Sequence, residues 1–174
     1  MAEDRREQME ILRNAIRMEI EGERFFSSAA TRMKYPRTKD VFISLAKQER
    51  RHIHVLEEEL KRLEQGTSWV SPASVKGSVD SGASVFKDVE SASGPLDPKA
   101  GELEVLKFGI EVERKSIDYY RRAGQEVGNP KAKEVFNWLV GEEAGHLTIL
   151  TAEHDIRSRS GFYYDMPEFS LEVM

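Results

Sequence analysis

Residues 40–56, DVFISLAKQERRHIHVL, return 94 positions later as EVFNWLVGEEAGHLTIL at residues 134–150. In both copies the apolar residues recur at spacings of three and four, the pattern of an amphipathic helix. In both, a carboxylate and an imidazole break the apolar stripe near its middle: Glu49 and His52 in the first, Glu143 and His146 in the second. The register extends upstream without a gap. Leu12 aligns with Leu106, Ile16 with Ile110, Glu19 with Glu113, Ala29 with Ala123 and Pro36 with Pro130. Any two amphipathic hairpins share Leu and Ala, but Pro, Glu and His at matched positions are not explained that way. The chain therefore reads as a duplicated helical hairpin.

Working outward, helical periodicity runs over residues 4–65 with a break at Lys34-Tyr35-Pro36, and again over 98–159 with a break at Gly128-Asn129-Pro130. Asp97 and Asn129 are good N-caps, Pro98 and Pro130 have the fixed φ favoured at a first helical position, and Gly66 suits a helix stop. Four helices of about 25–30 residues follow, each roughly 40 Å long. Between the hairpins, residues 66–97 change to Gly, Ser, Pro and Val, a linker long enough to cross such a bundle from end to end. Residues 160–174 form a tail in which Phe162, Tyr163, Tyr164, Met166 and Phe169 are too apolar for free solution, so docking on the bundle or a neighbour is expected. The expected architecture is all-α: one domain of 174 residues, built from two duplicated helical hairpins joined by that linker.

Composition narrows the chemistry. The 26 Lys and Arg against 31 Asp and Glu give a net charge of −5, without the basic footprint that nucleic acid or an anionic membrane requires. Zero cysteines remove disulfides, thiol catalysis and thiolate-bound metals. No apolar run is long enough to cross a bilayer, and the charged opening MAEDRREQMEILRNAIRMEI does not read as a secretory leader. A cytoplasmic protein is expected.

The interrupted stripes carry the functional signal. They read Leu12, Ile16, Glu19, Gly22, Phe26 in the first helix and Phe42, Leu45, Glu49, His52, Leu56 in the second. The third reads Leu103, Leu106, Ile110, Glu113, Ile117, Tyr120, and the fourth Phe136, Leu139, Glu143, His146, Leu150. In a hairpin, residues equally far from the turn lie side by side, so each hairpin gathers two Glu and one His at one height. Packing the hairpins together makes one cluster of Glu19, Glu49, His52, Glu113, Glu143 and His146. Burying an unanswered carboxylate costs several kcal/mol, and two divalent cations balance four of them charge for charge. One imidazole per metal among oxygen ligands suits iron or manganese better than zinc or copper. A lone Glu-x-x-His carries little weight in a Glu-rich chain; two in repeat register, each with a partner Glu at its height, carry much more.

The pattern Glu-x₆-[Phe/Tyr] followed by Glu-x-x-His, given twice, resembles the rubrerythrin family of ferritin-like di-iron proteins. The resemblance rests on residues 19–26 with 49–52, and 113–120 with 143–146. It implies two iron ions bridged by Glu49 and Glu143, with Glu19 and Glu113 as terminal carboxylates and His52 and His146 as terminal imidazoles. It also implies a ferritin-like four-helix bundle whose second and third helices are joined by a long crossover, and reduction of hydrogen peroxide or dioxygen. Two departures are visible. Rubrerythrins proper carry a cysteine-bound rubredoxin iron, so here the electrons must come from a separate donor protein. They also carry a further ligating Glu three residues after the third-helix Glu, where this chain has Ser116. Tyr120 is placed to hydrogen-bond a ligand carboxylate, whereas its repeat partner Phe26 cannot.

His54 and His154 fall off the stripes and read as solvated. Glu21, Glu23 and Glu142 read as surface or supporting groups, and Trp69 and Trp138 as packing under the crossover or in a subunit contact. The long crossover also allows a homodimer with exchanged helix pairs. Besides the oxidoreductase, the same cluster suits a ferroxidase that handles iron, and a helical interaction module is the non-enzymatic alternative.

Overall fold

The computed structural model describes residues 2–75 and 100–158, and the backbone of two short strands in the tail. Four helices account for nearly all of it: α1 (Ala2–Arg32), α2 (Pro36–Glu64), α3 (Glu102–Glu126) and α4 (Pro130–Ser158). A single 3₁₀ turn at Pro72–Ser74 follows α2. In the tail, β1 (Phe162–Tyr163) pairs antiparallel with β2 (Met166–Pro167).

The helix ends follow local chemistry. Pro36 opens α2 after an extended Tyr35. The Asn129 side chain accepts the Lys131 and Ala132 amides at 2.9 and 3.4 Å, capping α4. Gly66, at φ 76°, ends α2 in a Schellman motif, with Gly66 N–H donating to Leu63 O and Thr67 N–H to Arg62 O. The third helix departs from expectation. It begins at Glu102 after an extended Gly101, not at Pro98, and Asp97 and Pro98 lie outside the described residues. Leu103, expected on the inner stripe, is exposed, and Val105 takes the buried place.

The two hairpins, α1 with α2 and α3 with α4, make the closest packing. Cross-contacts fix how they meet. Arg32, at the end of α1, donates to Ala100 O just before α3, while Tyr119 near the end of α3 donates to Ile11 O early in α1. Thr38 at the start of α2 donates to Glu153 late in α4. So α1 runs antiparallel to α3 and α2 to α4, and α2 ends at the opposite end of the bundle from the start of α3. The first residues of the linker dock: Trp69 is buried against Phe136 and donates its indole N–H to Gln8 Oε1 at 2.8 Å. The remainder of the linker, residues 76–99, and the side chains of the tail lie outside the described residues.

The apolar core is not continuous. One cluster is built around Leu12, Leu56, Tyr120, Phe136 and Leu139, and a second around Phe26, Phe42, Leu45, Leu106 and Leu150. A polar layer lies between them. No helix of the described residues is long and apolar enough to cross a membrane.

Candidate metal centre

Each helix sends residues of its inner stripe into that layer. Glu19 comes from α1, Glu49 and His52 from α2, Glu113 from α3, Glu143 and His146 from α4, and all six are at most 3% exposed. A single chain supplies the whole set. His52 Nδ1 lies 3.1 Å from Glu19, 3.3 Å from Glu143 and 3.5 Å from Glu49. His146 Nδ1 lies 3.0 Å from Glu143, 3.1 Å from Glu49 and 3.4 Å from Glu113. The imidazoles stack at 5.5 Å. Glu49 and Glu143 thus face both histidines, while Glu19 and Glu113 each face one. The sequence repeat appears in space as an approximate twofold relation.

Two groups of four residues bring one donor atom each to within 4.8 Å of one another: Glu19, Glu49, His52 and Glu143, and Glu49, Glu113, Glu143 and His146. They share Glu49 and Glu143. Several of these atoms are buried without a hydrogen bond, among them both oxygens of Glu143, Oε1 of Glu113 and Nδ1 of His146. Buried polar atoms are rarely left so. Carboxylate oxygens converging on each imidazole nitrogen form a donor set suited to a cation.

Without a cation the layer settles its charge by protonation. Burial, reinforced by the Glu49 charge, pushes Glu19 well above the usual carboxylate range, and burial pushes Glu113 up to about 9. At Glu49 burial opposes ionisation, but the Glu19 carboxyl and the His146 and His52 imidazoles beside it outweigh burial and hold the carboxyl far below its usual range. Glu143 is lowered too: against burial stand the imidazoles of His146 and His52 at 3.0 and 3.3 Å. Burial disfavours the imidazolium, yet the surrounding carboxylates win, raising His52 well above its ordinary value and His146 to about 12. Two carboxyls stay protonated, two are ionised and two imidazoliums answer them.

Tyr120, fully buried, donates its hydroxyl to Glu19 Oε1. Burial, and then the charge of Glu19, raises its pKa further, so it remains a phenol. Ser116 is half-buried and belongs to neither group of four. Gly22, its repeat partner, lies so close to the centre that a Cβ there would stand 3.6 Å from the Glu49 carboxylate.

Glu21 is exposed. Glu23 pairs with Arg50 at 2.7 Å and accepts from Ser27 at 3.0 Å, and so supports α1 against α2. Glu142, in contrast, stands beside His52, and Trp138 sets its ring edge-on against the same imidazole at 5.3 Å. His54 and His154 are off the centre but half-buried, not solvated; His154 Nδ1 is 3.4 Å from Asp155.

Two buried carboxylates were missed at the sequence level, Glu59 and Glu153, which are themselves repeat partners. They sit two turns beyond His52 and His146, and that shared spacing was the available signal. Glu153 is met by Thr38, by Arg157 at 3.0 Å and by Arg37 at 3.8 Å. The positions equivalent to Thr38 and Arg157 around Glu59 are Ala132 and Leu63, both buried and apolar. Glu59 accepts from the Val70 amide at 3.3 Å, and burial raises it to about 7 against that hydrogen bond and the charge of Arg62.

The rubrerythrin family model matches residues 10–154. A solved structure, a hypothetical protein from Pyrococcus furiosus, superposes with a TM-score of 0.66 at 21% identity, covering 90% of this chain and 93% of that one. At that identity the likeness speaks for the fold alone. No curated protein matches the chain.

Proposed function

The chain belongs to the rubrerythrin family, and from that premise we propose that it is a di-iron oxidoreductase reducing hydrogen peroxide, or dioxygen, with electrons from a separate donor protein. The observation that carries the reading is the sharing of Glu49 and Glu143 between two groups of four donors. A carboxylate with two oxygens can hold two cations at once, so the shared pair suits bridging. Glu19 and His52 would complete one position, and Glu113 and His146 the other. Manganese is compatible with the same oxygen-rich set.

A pair of iron ions, when bound, supplies two electrons together to an oxygen–oxygen bond. The chain's own groups do the rest. The apolar clusters on either side of the polar layer keep water from the ends of the bundle. The Tyr120 hydroxyl fixes one oxygen of Glu19 and leaves the other directed at His52. That phenol also holds one proton at the edge of the centre, and reduction of peroxide to two waters takes up two, the second coming from solvent. With no cysteine in the chain, no thiolate-bound relay iron is at hand, so an external electron donor is required.

Stopped-flow oxidation of the reduced, iron-loaded protein tests the proposal. Peroxide should oxidise it faster than dioxygen does at equal concentration. Equal or slower reaction with peroxide would remove the peroxidase assignment.

A further inference from the structure

The duplication lets each half of the centre serve as a control for the other. Around His52 stand three residues that are not among the six. Glu142 Oε2 lies 3.6 Å from His52 Nε2. Arg51 lies 3.8 Å from the same carboxylate, with its guanidinium 5.4 Å from the Trp138 ring centre. Trp138 closes the loop by its edge-on contact with the His52 ring at 5.3 Å and 88°. Subtracting or adding the repeat of 94 gives the corresponding residues around His146: Gln48 for Glu142, Ser44 for Trp138 and Gly145 for Arg51. None can do the same work. Gln48 turns back on its own helix, its amide 3.4 Å from Ser44 O and Oγ. Ser44 is exposed and lines an open groove with Val41 and Ile149, and Gly145 has no side chain. Nε2 of both His52 and His146 is buried without a hydrogen bond, but among the described residues only His52 Nε2 has a carboxylate within 4 Å.

We propose that Glu142, held by Arg51 and Trp138, is a positioning residue for His52 alone, and that it makes the two metal positions inequivalent. The inference rests on the metal-binding reading above and deepens it. His52 Nδ1 faces Glu19, Glu49 and Glu143, so it is the nitrogen offered to a cation, and Nε2 must carry the hydrogen. At 3.6 Å the Glu142 contact is beyond hydrogen-bond range, and such contacts commonly tighten when the centre is complete. A carboxylate accepting from the outer N–H fixes the tautomer and the ring plane and strengthens the inner nitrogen as a donor. Trp138 blocks ring rotation from the side, and Arg51 keeps Glu142 aimed. His146 has no such support, so the position it completes is the weaker one.

The test uses the full chain. Calorimetric titration of the metal-free protein with Mn²⁺ should resolve two unequal sites. Glu142→Ala should weaken the tighter one by about 10–100-fold and leave the other within about twofold; Gln48→Ala should alter neither. In the Zn²⁺-loaded protein, His52 should show a slowly exchanging Nε2–H proton in the NMR spectrum. That signal should be lost in Glu142→Ala and retained in Glu142→Gln, which keeps an acceptor oxygen. Loss of both sites together, or two sites unchanged in Glu142→Ala, overturns the positioning role while leaving the metal reading intact. A wild-type protein that takes up neither ion overturns both.

Discussion

A carboxyl group in an apolar interior ionises only where something answers its charge, and the six side chains of the central layer answer one another in two different ways. In the metal-free protein, protons on Glu19, Glu113, His52 and His146 offset the charge of Glu49 and Glu143. Two divalent ions must displace those protons. Calorimetry at pH 7 in buffers of differing ionisation enthalpy should therefore show release of about four protons per two ions, with affinity rising with pH. Release of fewer than about two would contradict this protonation pattern. The same groups set the metal-free stability. Glu113 and His146 have folded values above their unfolded ones, so their stabilisation is full below the unfolded values of 4.5 and 6.5 and is lost as pH rises toward about 9 and about 12. The chelated protein should melt lower at pH 9 than at pH 6, with the gap to the metal-loaded protein widening. Tyr120→Phe removes the donor to Glu19 from a buried site without changing the ring. Urea denaturation should register a loss of about 1–2 kcal/mol, and oxidation by peroxide should slow.

At the scale of elements, the two hairpins diverge beyond the histidines. Glu153 is tied by Thr38 and Arg157 and joins α2 to α4. Glu59 has apolar residues at the positions equivalent to Thr38 and Arg157, and it holds the start of the linker through the Val70 amide, one residue after the buried Trp69. Burial lifts Glu59 to about 7 from 4.5, so its share of stability is full below 4.5 and lost as pH rises through 7. Glu59→Gln keeps an acceptor for Val70 and removes the buried charge. The variant should melt higher than wild type at pH 8 and match it near pH 4. A lower melting temperature at pH 8 would mean that the ionised carboxylate is what holds the linker. Helix ends were easy to read where a side chain or ring acts locally, as at Asn129, Pro130, Pro36 and Gly66. At α3 Pro98 has the chemistry of a start, yet the helix begins at Glu102 after an extended Gly101.

For the whole molecule, the polar layer divides the core into two apolar clusters that share no residue. Leu12 belongs to one and Leu45 to the other, and both are fully buried. Leu12→Ala and Leu45→Ala should each cost about 2–5 kcal/mol. The double variant should cost their sum within about 0.5 kcal/mol, since distant sites without shared partners act independently. A clear departure from additivity would show that strain passes through the layer, coupling the clusters.

Periodicity and the repeat were enough to indicate four helices, two hairpins and the inner stripes bearing Glu19, Glu49, His52, Glu113, Glu143 and His146, because face and height on a helix follow from residue count alone. Tertiary packing decided what residue count leaves open. It chose Nδ1 of each histidine as the inward nitrogen and placed Glu49 and Glu143 where both groups of four can use them. It buried Glu59 and Glu153, which look in sequence like any solvated glutamate, and set Glu142 and Trp138 beside one histidine and not the other. Those outcomes depend on which neighbouring helix supplies a hydrogen bond, a charge or a ring at a given point, and that is settled only when the hairpins meet.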